Sequence, residues 1–139
     1  KEEAEIFVGF NGLKTAYECL LRDNDNKEPL LYFYVHDEDS VKNSDIFYKQ
    51  EFHYFKKLKL KLKGISTLNF KESKYFKKPP KFIKLRYVDF PLPATVDVYK
   101  DKVLISSWQE QPIAYLINSK EISKNYKKYF NEVWKIAKS

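Results

Sequence analysis

The sequence predicts an α/β fold in which a mixed β-sheet is flanked by helices. Three observations carry this. An apolar strand at the start is followed by a helix-spaced segment and then by a second, continuous apolar run. Four short strand patterns crowd between Phe82 and Ile117. The strongest helical periodicity comes last, from Ile122 to Ala137.

Taken in order, Ala4 to Phe10 has the apolar content of a buried strand, and Asn11-Gly12 breaks it. Leu13, Ala16, Tyr17, Leu20 and Leu21 fall at the 3–4 spacing of one helix face. Asp23 to Asn26 end that helix, because short polar side chains compete for backbone hydrogen bonds. Leu30 to Val35 lacks polar alternation, as expected of a central strand covered on both faces. The β-α-β order predicts that Glu5 to Phe10 and Leu30 to Val35 are parallel neighbours or near neighbours in one sheet.

After the polar loop Asp37 to Ser40, Ser44 is placed to cap a second helix from about Asp45. Phe47, Tyr54, Phe55, Leu58 and Leu62 lie roughly on one face of it. Its end is ambiguous, since Leu58 to Lys63 alternates with period 2 and also reads as a strand. The favoured reading is helix to about Lys63, ended by Gly64 at C′, then a strand from Ile65 to Phe70. Lys71 to Lys81, with Pro79-Pro80, reads as a basic loop. Strands follow at Phe82 to Val88, Thr95 to Tyr99, Val103 to Ser107 and Ala114 to Ile117. Lys100-Asp101-Lys102 is the hairpin connection between the middle two. Ser119 or a neighbour caps the last helix, whose apolar face includes Ile122, Tyr126, Phe130, Val133, Trp134 and Ala137.

A length of 139 residues suits one domain. Eleven tyrosines and eleven phenylalanines supply ample apolar area, but each buried tyrosine hydroxyl needs a partner. Three glycines are too few for glycine-cradled phosphate sites, and no apolar run approaches the roughly 20 residues of a membrane span. The single cysteine, Cys19, has no internal disulfide partner and reads as a small buried hydrophobe. With an acidic N-terminus that runs straight into a strand and is no signal peptide, these features point to the cytoplasm. Charge is uneven: between Lys49 and Arg86, 13 lysines and arginines face only Glu51 and Glu72, a net +11, while the remainder carries −4 of the total +7. Such a block attracts polyanions, although lysine runs alone carry no readout of bases.

The opening Glu5-Ile6-Phe7-Val8-Gly9-Phe10-Asn11-Gly12-Leu13, the hairpin from Thr95 to Trp108, the strand Pro112 to Ile117 and the closing Tyr129-Phe130-Asn131-Glu132-Val133-Trp134 together resemble the C-terminal effector domain of TrmB-type transcriptional regulators, found mainly in archaea. The resemblance covers nearly the whole chain. It implies a phospholipase D-like fold used for ligand sensing and homodimerisation, normally attached to an N-terminal winged helix that contacts DNA. No chain for such a module precedes Lys1, so the resemblance implies a piece from which the DNA-binding part is missing.

That fold also hosts nucleases and lipases whose His-x-Lys-x4-Asp motif supplies a histidine nucleophile and a lysine for the oxyanion. The counterpart of the segment following their motif is Ile105-Ser106-Ser107. The stretch before it, Leu92 to Lys100, has no histidine and offers only Thr95 and Asp97 as polar candidates. His36 and His53 are not followed two residues on by lysine. No catalytic residue is therefore expected. The acidic run after His36, Asp37-Glu38-Asp39, reads as a solvated loop, so neither metal nor cofactor is expected.

In an open α/β sheet, ligands bind outside the carboxyl ends of parallel strands. Asn11 and His36 follow the first two strands and are candidate ligand contacts, with Arg86 or Trp108 as an anion partner or wall. The leading reading is thus a non-enzymatic effector-sensing domain with an unspecified small-molecule effector. The alternatives are a nucleic-acid module using Lys56, Lys57, Lys59, Lys61 and Lys63, with Tyr54, Phe70 and Tyr75 for stacking, or a degenerate phosphodiesterase.

Overall fold

The computed structural model of the chain describes residues 2–35, 39 and 41–139. Seven strands form one sheet: β1 (Glu3–Val8), β2 (Leu30–Phe33), β3 (Leu62–Thr67), β4 (Ile83–Val88), β5 (Thr95–Tyr99), β6 (Lys102–Ser107) and β7 (Ile113–Asn118), in the order β1-β7-β6-β5-β2-β3-β4. The helices are α1 (Gly9–Leu20), α2 (Val41–Lys57), the single turn α3 (Leu68–Lys71) and α4 (Lys120–Ile136). Every pairing from β1 across to β2 is antiparallel, and β2-β3-β4 are parallel, so the sheet is mixed as expected.

β1 and β2 do lie in one sheet and point the same way. They are not neighbours, however, because β7, β6 and β5 stand between them. The short β5-β6 and β6-β7 connections make three successive antiparallel strands, and these occupy the centre that the β-α-β reading gave to β1 and β2. β1 is left on an edge.

Side chains alternate across the sheet and fill two cores. On one face α1 and α2 cover Leu30, Leu62, Ile83, Leu104, Ala114 and Leu116. On the other, Phe130, Val133 and Ala137 of the α4 end of the chain pack on Leu31, Phe33, Ile65, Val96, Val98 and Val103. Ser119 accepts the Ile122 N–H at 3.2 Å and caps α4 as its sequence suggests.

Several boundaries differ from the sequence reading for local reasons. β1 stops at Val8, because Gly9 takes φ +83° and turns the chain directly into α1, its N–H donating to the Pro112 carbonyl at 2.8 Å. Asn11 and Gly12 therefore lie inside the first turn of the helix. Ser44 lies within α2 rather than capping it. That helix ends at Lys57, well short of Gly64, in a Schellman arrangement: Lys59 N–H bonds to Lys56 O, Leu60 N–H bonds to Phe55 O, and Lys59 sits at φ +57°. A lysine occupies the position where glycine is the usual signal, so the stop is hidden in the sequence. Gly64 instead lies within β3, where a Cβ would come within 2.1 Å of Tyr32 Cζ. The alternating stretch after Leu60 is strand, and β3 gives way at Thr67, which caps α3 by accepting the Phe70 N–H.

Two substitutions follow from these positions. Lys59→Gly relieves a left-handed lysine and is expected to raise stability by about 0.5–1 kcal/mol in urea denaturation. Gly64→Ala forces the Tyr32 ring aside and is expected to cost ~1–3 kcal/mol. In a Tyr32→Leu background that cost should shrink, since the two sites share one volume. Equal costs in both backgrounds would refute the contact.

Candidate functional site

β5 positions the most unusual chemistry in the molecule. All five of its residues are buried. Val96 and Val98 face α4, while Thr95, Asp97 and Tyr99 alternate toward α1 and α2. The polar members of that second row must be satisfied internally. Thr95 Oγ1 accepts the Val35 N–H at 3.0 Å, and the Tyr99 hydroxyl donates to Asn24 Oδ1 at 2.9 Å. Asp97, only 4% exposed, accepts the Tyr17 hydroxyl at 2.7 Å, and Tyr17 lies 2.9 Å from the Tyr48 hydroxyl. With Tyr17 donating to Asp97, Tyr48 is left to donate to Tyr17, a relay across α2, α1 and the sheet.

This relay borders a cavity of about 310 Å³ between α2 and the β2–β5 surface. Tyr32, Tyr34, Phe52, Phe55 and Phe70 wall it with aromatic rings, and Thr95 and Asp97 contribute from β5. Tyr34 follows β2 and Phe70 follows β3, so one end of the cavity opens beyond the carboxyl ends of parallel strands, where ligands bind in open α/β sheets. The exposed residues among its lining, Lys49, Lys77 and Lys78, mark the mouth, where Lys77 pairs with Asp45 at 3.3 Å.

Burial pushes the Asp97 carboxyl up to about 7, with the Tyr17 hydrogen bond pulling only partly against it. Burial, reinforced by the charge of Asp97, drives the hydroxyls of Tyr17, Tyr32 and Tyr48 far above the usual phenol range. Near neutrality, then, Asp97 changes charge while these three tyrosines stay neutral hydrogen-bonding groups. Chemically, the cavity offers aromatic faces, one deep acceptor that gains or loses a charge, and a basic rim. Among the described residues no group of three or more His, Cys, Asp or Glu is arranged to hold a metal ion. None of the described helices is long and apolar enough to cross a membrane.

Among the described residues, those singled out from the sequence do not meet in one crevice. Asn11 is exposed in the first turn of α1, its carbonyl accepting the Thr15 hydroxyl at 3.0 Å. His36 lies outside the described residues. Arg86 is on the α4 face, away from the cavity, where its guanidinium donates to the Trp134 carbonyl at 2.8 Å and sits 4.2 Å from the indole centroid. Its role there is to dock α4. Trp108 packs against Phe10, Phe47 and Tyr48 and reaches the cavity only through Tyr48. His53 is exposed on α2.

Nor do the five lysines form one stripe. Lys56, Lys57, Lys59 and Lys61 are exposed around the end of α2, while Lys63 points to the α4 face, 5.4 Å from the Trp134 ring centroid. Phe70 and Tyr75 line the cavity, and the Tyr54 ring lies tilted beside that of Phe55. The Tyr17–Tyr48–Asp97 relay was not singled out from the sequence. Its signal was present: an acid centred in the apolar stretch Val96-Asp97-Val98 of a central strand requires a partner or a purpose.

No protein-family model matches the chain, and no curated protein matches it. Solved structures do. NucT from Helicobacter pylori is similar over 100% of this chain and 99% of its own, with TM-score 0.66 and 11% identity. Nuc from Salmonella typhimurium, a phospholipase D family member, is similar over 99% and 97%, with TM-score 0.61 and 11% identity. TrmBL2, an archaeal chromatin protein, is similar over 97% of this chain but 53% of its own length, with TM-score 0.53 and 19% identity. The fold is phospholipase D-like, shared with NucT, Nuc and TrmBL2.

The buried carboxyls set a pH dependence. Glu51, buried between α2 and α1, is also pushed up to about 7 by burial, and its Oε1 has no partner among the described residues. Carboxyls in unfolded chains titrate near pH 4, so between about 4 and 7 the folded protein holds protons that the unfolded chain has released. Stability falls as pH rises through that window and levels off above it. Calorimetry is expected to give a lower Tm at pH 8 than at pH 5. Asp97→Asn, which keeps an acceptor for Tyr17, and Glu51→Gln should each flatten part of the slope. A wild-type slope in both variants would refute the assignment.

Proposed function

We propose that this chain is a non-catalytic effector-sensing and dimerisation domain of a transcriptional regulator. The observation that carries the reading is the aromatic cavity closed over Asp97, a concave, mostly apolar site with few polar groups, as small-molecule sites are. The pocket-facing positions of β5, where the phospholipase D-like resemblance expects a histidine and lysine, hold Thr95 and Asp97. Neither threonine nor aspartate with this setting makes and releases the phosphohistidine intermediate of that chemistry. The likeness to TrmBL2, an archaeal chromatin protein, supports a regulatory context.

Self-association has its own support. Ile6 and Val8 on edge strand β1 are 66% and 57% exposed, and their register partners Tyr115 and Ile113 extend the same face beyond the reach of α4. A second copy laid on this patch gives a regulator the two-fold symmetry that paired half-sites require.

A thermal-shift screen of metabolites is expected to find at least one compound that raises Tm, and Leu85→Trp, which fills the cavity, should abolish its effect. A silent screen would overturn the effector reading. The purified chain should not cleave single-stranded DNA or bis(p-nitrophenyl) phosphate; cleavage lost on mutating His36 or His53 would overturn the non-enzymatic reading. DNA binding by the isolated chain should be weak and fade steeply with salt, and neutralising Lys56, Lys57, Lys59, Lys61 and Lys63 together should flatten that dependence. Tight, sequence-selective binding at physiological salt would instead favour a nucleic-acid module. Sedimentation is expected to show a dimer that Ile6→Lys weakens.

A further inference from the structure

We propose that the cavity takes a small zwitterion: a protonated amine on a compact aromatic or apolar body seated against Asp97, with an anionic group at the other end held by the lysines of the mouth. The inference rests on reading the cavity as an effector site, and it assigns that effector a chemical class.

The deep end argues for the amine. Asp97 lies at the bottom of an aromatic enclosure, and among the described residues its one hydrogen-bond partner is Tyr17, with no cation within ion-pair distance. A carboxyl set in such surroundings is costly when charged and unpaired. An ammonium supplies both the missing charge and up to three donors. The faces of Tyr32, Tyr34, Tyr48 and Phe52 favour a cation over a neutral group of the same shape. An anion placed there would be repelled. A hydroxyl-rich ligand would find few free partners, because Thr95, Tyr17 and Tyr48 already spend hydrogen bonds on Val35, Asp97 and one another.

The mouth argues for the second charge. Among the described residues, Lys49, Lys77 and Lys78 meet only Asp45 as an opposing charge in the cavity lining near them, and Lys77 already pairs with it. A simple amine would cross a positive rim on its way in. A ligand carrying its own anion turns that rim from a barrier into a contact, and the separation of charges fixes which end goes first.

The test is calorimetric titration of the full chain at low ionic strength with five probes: 4-(2-aminoethyl)benzoate, 2-phenylethylamine, 3-phenylpropionate, 2-phenylethanol and D-glucose. The zwitterion is expected to bind best, at least about tenfold tighter than 2-phenylethanol. Asp97→Asn, with its fold checked by circular dichroism and Tm, should erase the preference of amine over alcohol. The combined Lys49→Ala, Lys77→Ala and Lys78→Ala variant should reduce the zwitterion to the affinity of 2-phenylethylamine while keeping the amine preference. Equal binding of alcohol or glucose and amine, or an unchanged preference in Asp97→Asn, overturns the ligand class and leaves the effector site standing. Silence from all five probes also overturns the class; the effector reading falls with it only when the metabolite screen is silent too.

Discussion

The burial of β5 on both faces is the constraint on which the rest of the molecule depends. It stands fourth of seven in the sheet and joins the antiparallel half, β1-β7-β6, to the parallel half, β2-β3-β4. Its two valines anchor α4, and its opposite row must serve α1 and α2. A carboxyl in that row is almost wholly buried, with only the cavity leading to it, so it organises its surroundings: Tyr17 is drawn from α1, Tyr48 follows from α2, and the aromatic walls close over both. Packing and polar satisfaction are thus settled by the same five residues.

Much of this architecture was legible in the sequence, and the exceptions have physical causes. The antiparallel hairpin from Thr95 to Ser107 and the amphipathic α4 were readable because period and turn chemistry agree there. The end of α2 was not, because Lys59 adopts the backbone conformation that glycine ordinarily advertises. Gly64 misled for the opposite reason: it is small to admit the Tyr32 ring, not to turn the chain. The place of β1 depended on which strands compete for the centre of the sheet, and that is a long-range outcome that no local window contains. For the site, alternation along β5 was visible but the partners of Asp97 were not. Tyr17 and Tyr48 are 31 residues apart and Tyr17 is 80 from Asp97, so only the fold unites them.

The two faces of the sheet do different work. The α4 face is held by interlocking aliphatic side chains and by Trp134, with Lys63 near its ring and Arg86 stacked on it and bonded to its carbonyl. The C-terminal end is tied again where Lys138 exchanges backbone hydrogen bonds with Tyr87. The other face carries more rings than this one. Phe47 and Tyr48 meet edge-on, as do Phe52 and Phe82.

The two tryptophans divide along the same line, and this gives the molecule a built-in optical asymmetry. Trp134 lies under cations on the α4 face, whereas Trp108 stacks among Phe10, Phe47 and Tyr48 on the face that holds the cavity. The ring of Trp108 lies 5.9 Å from that of Tyr48 between centroids, so its emission responds to any shift in the polarity around Tyr48. Light from one indole therefore tracks the packing around the aromatic enclosure, and light from the other tracks whether the last helix stays docked.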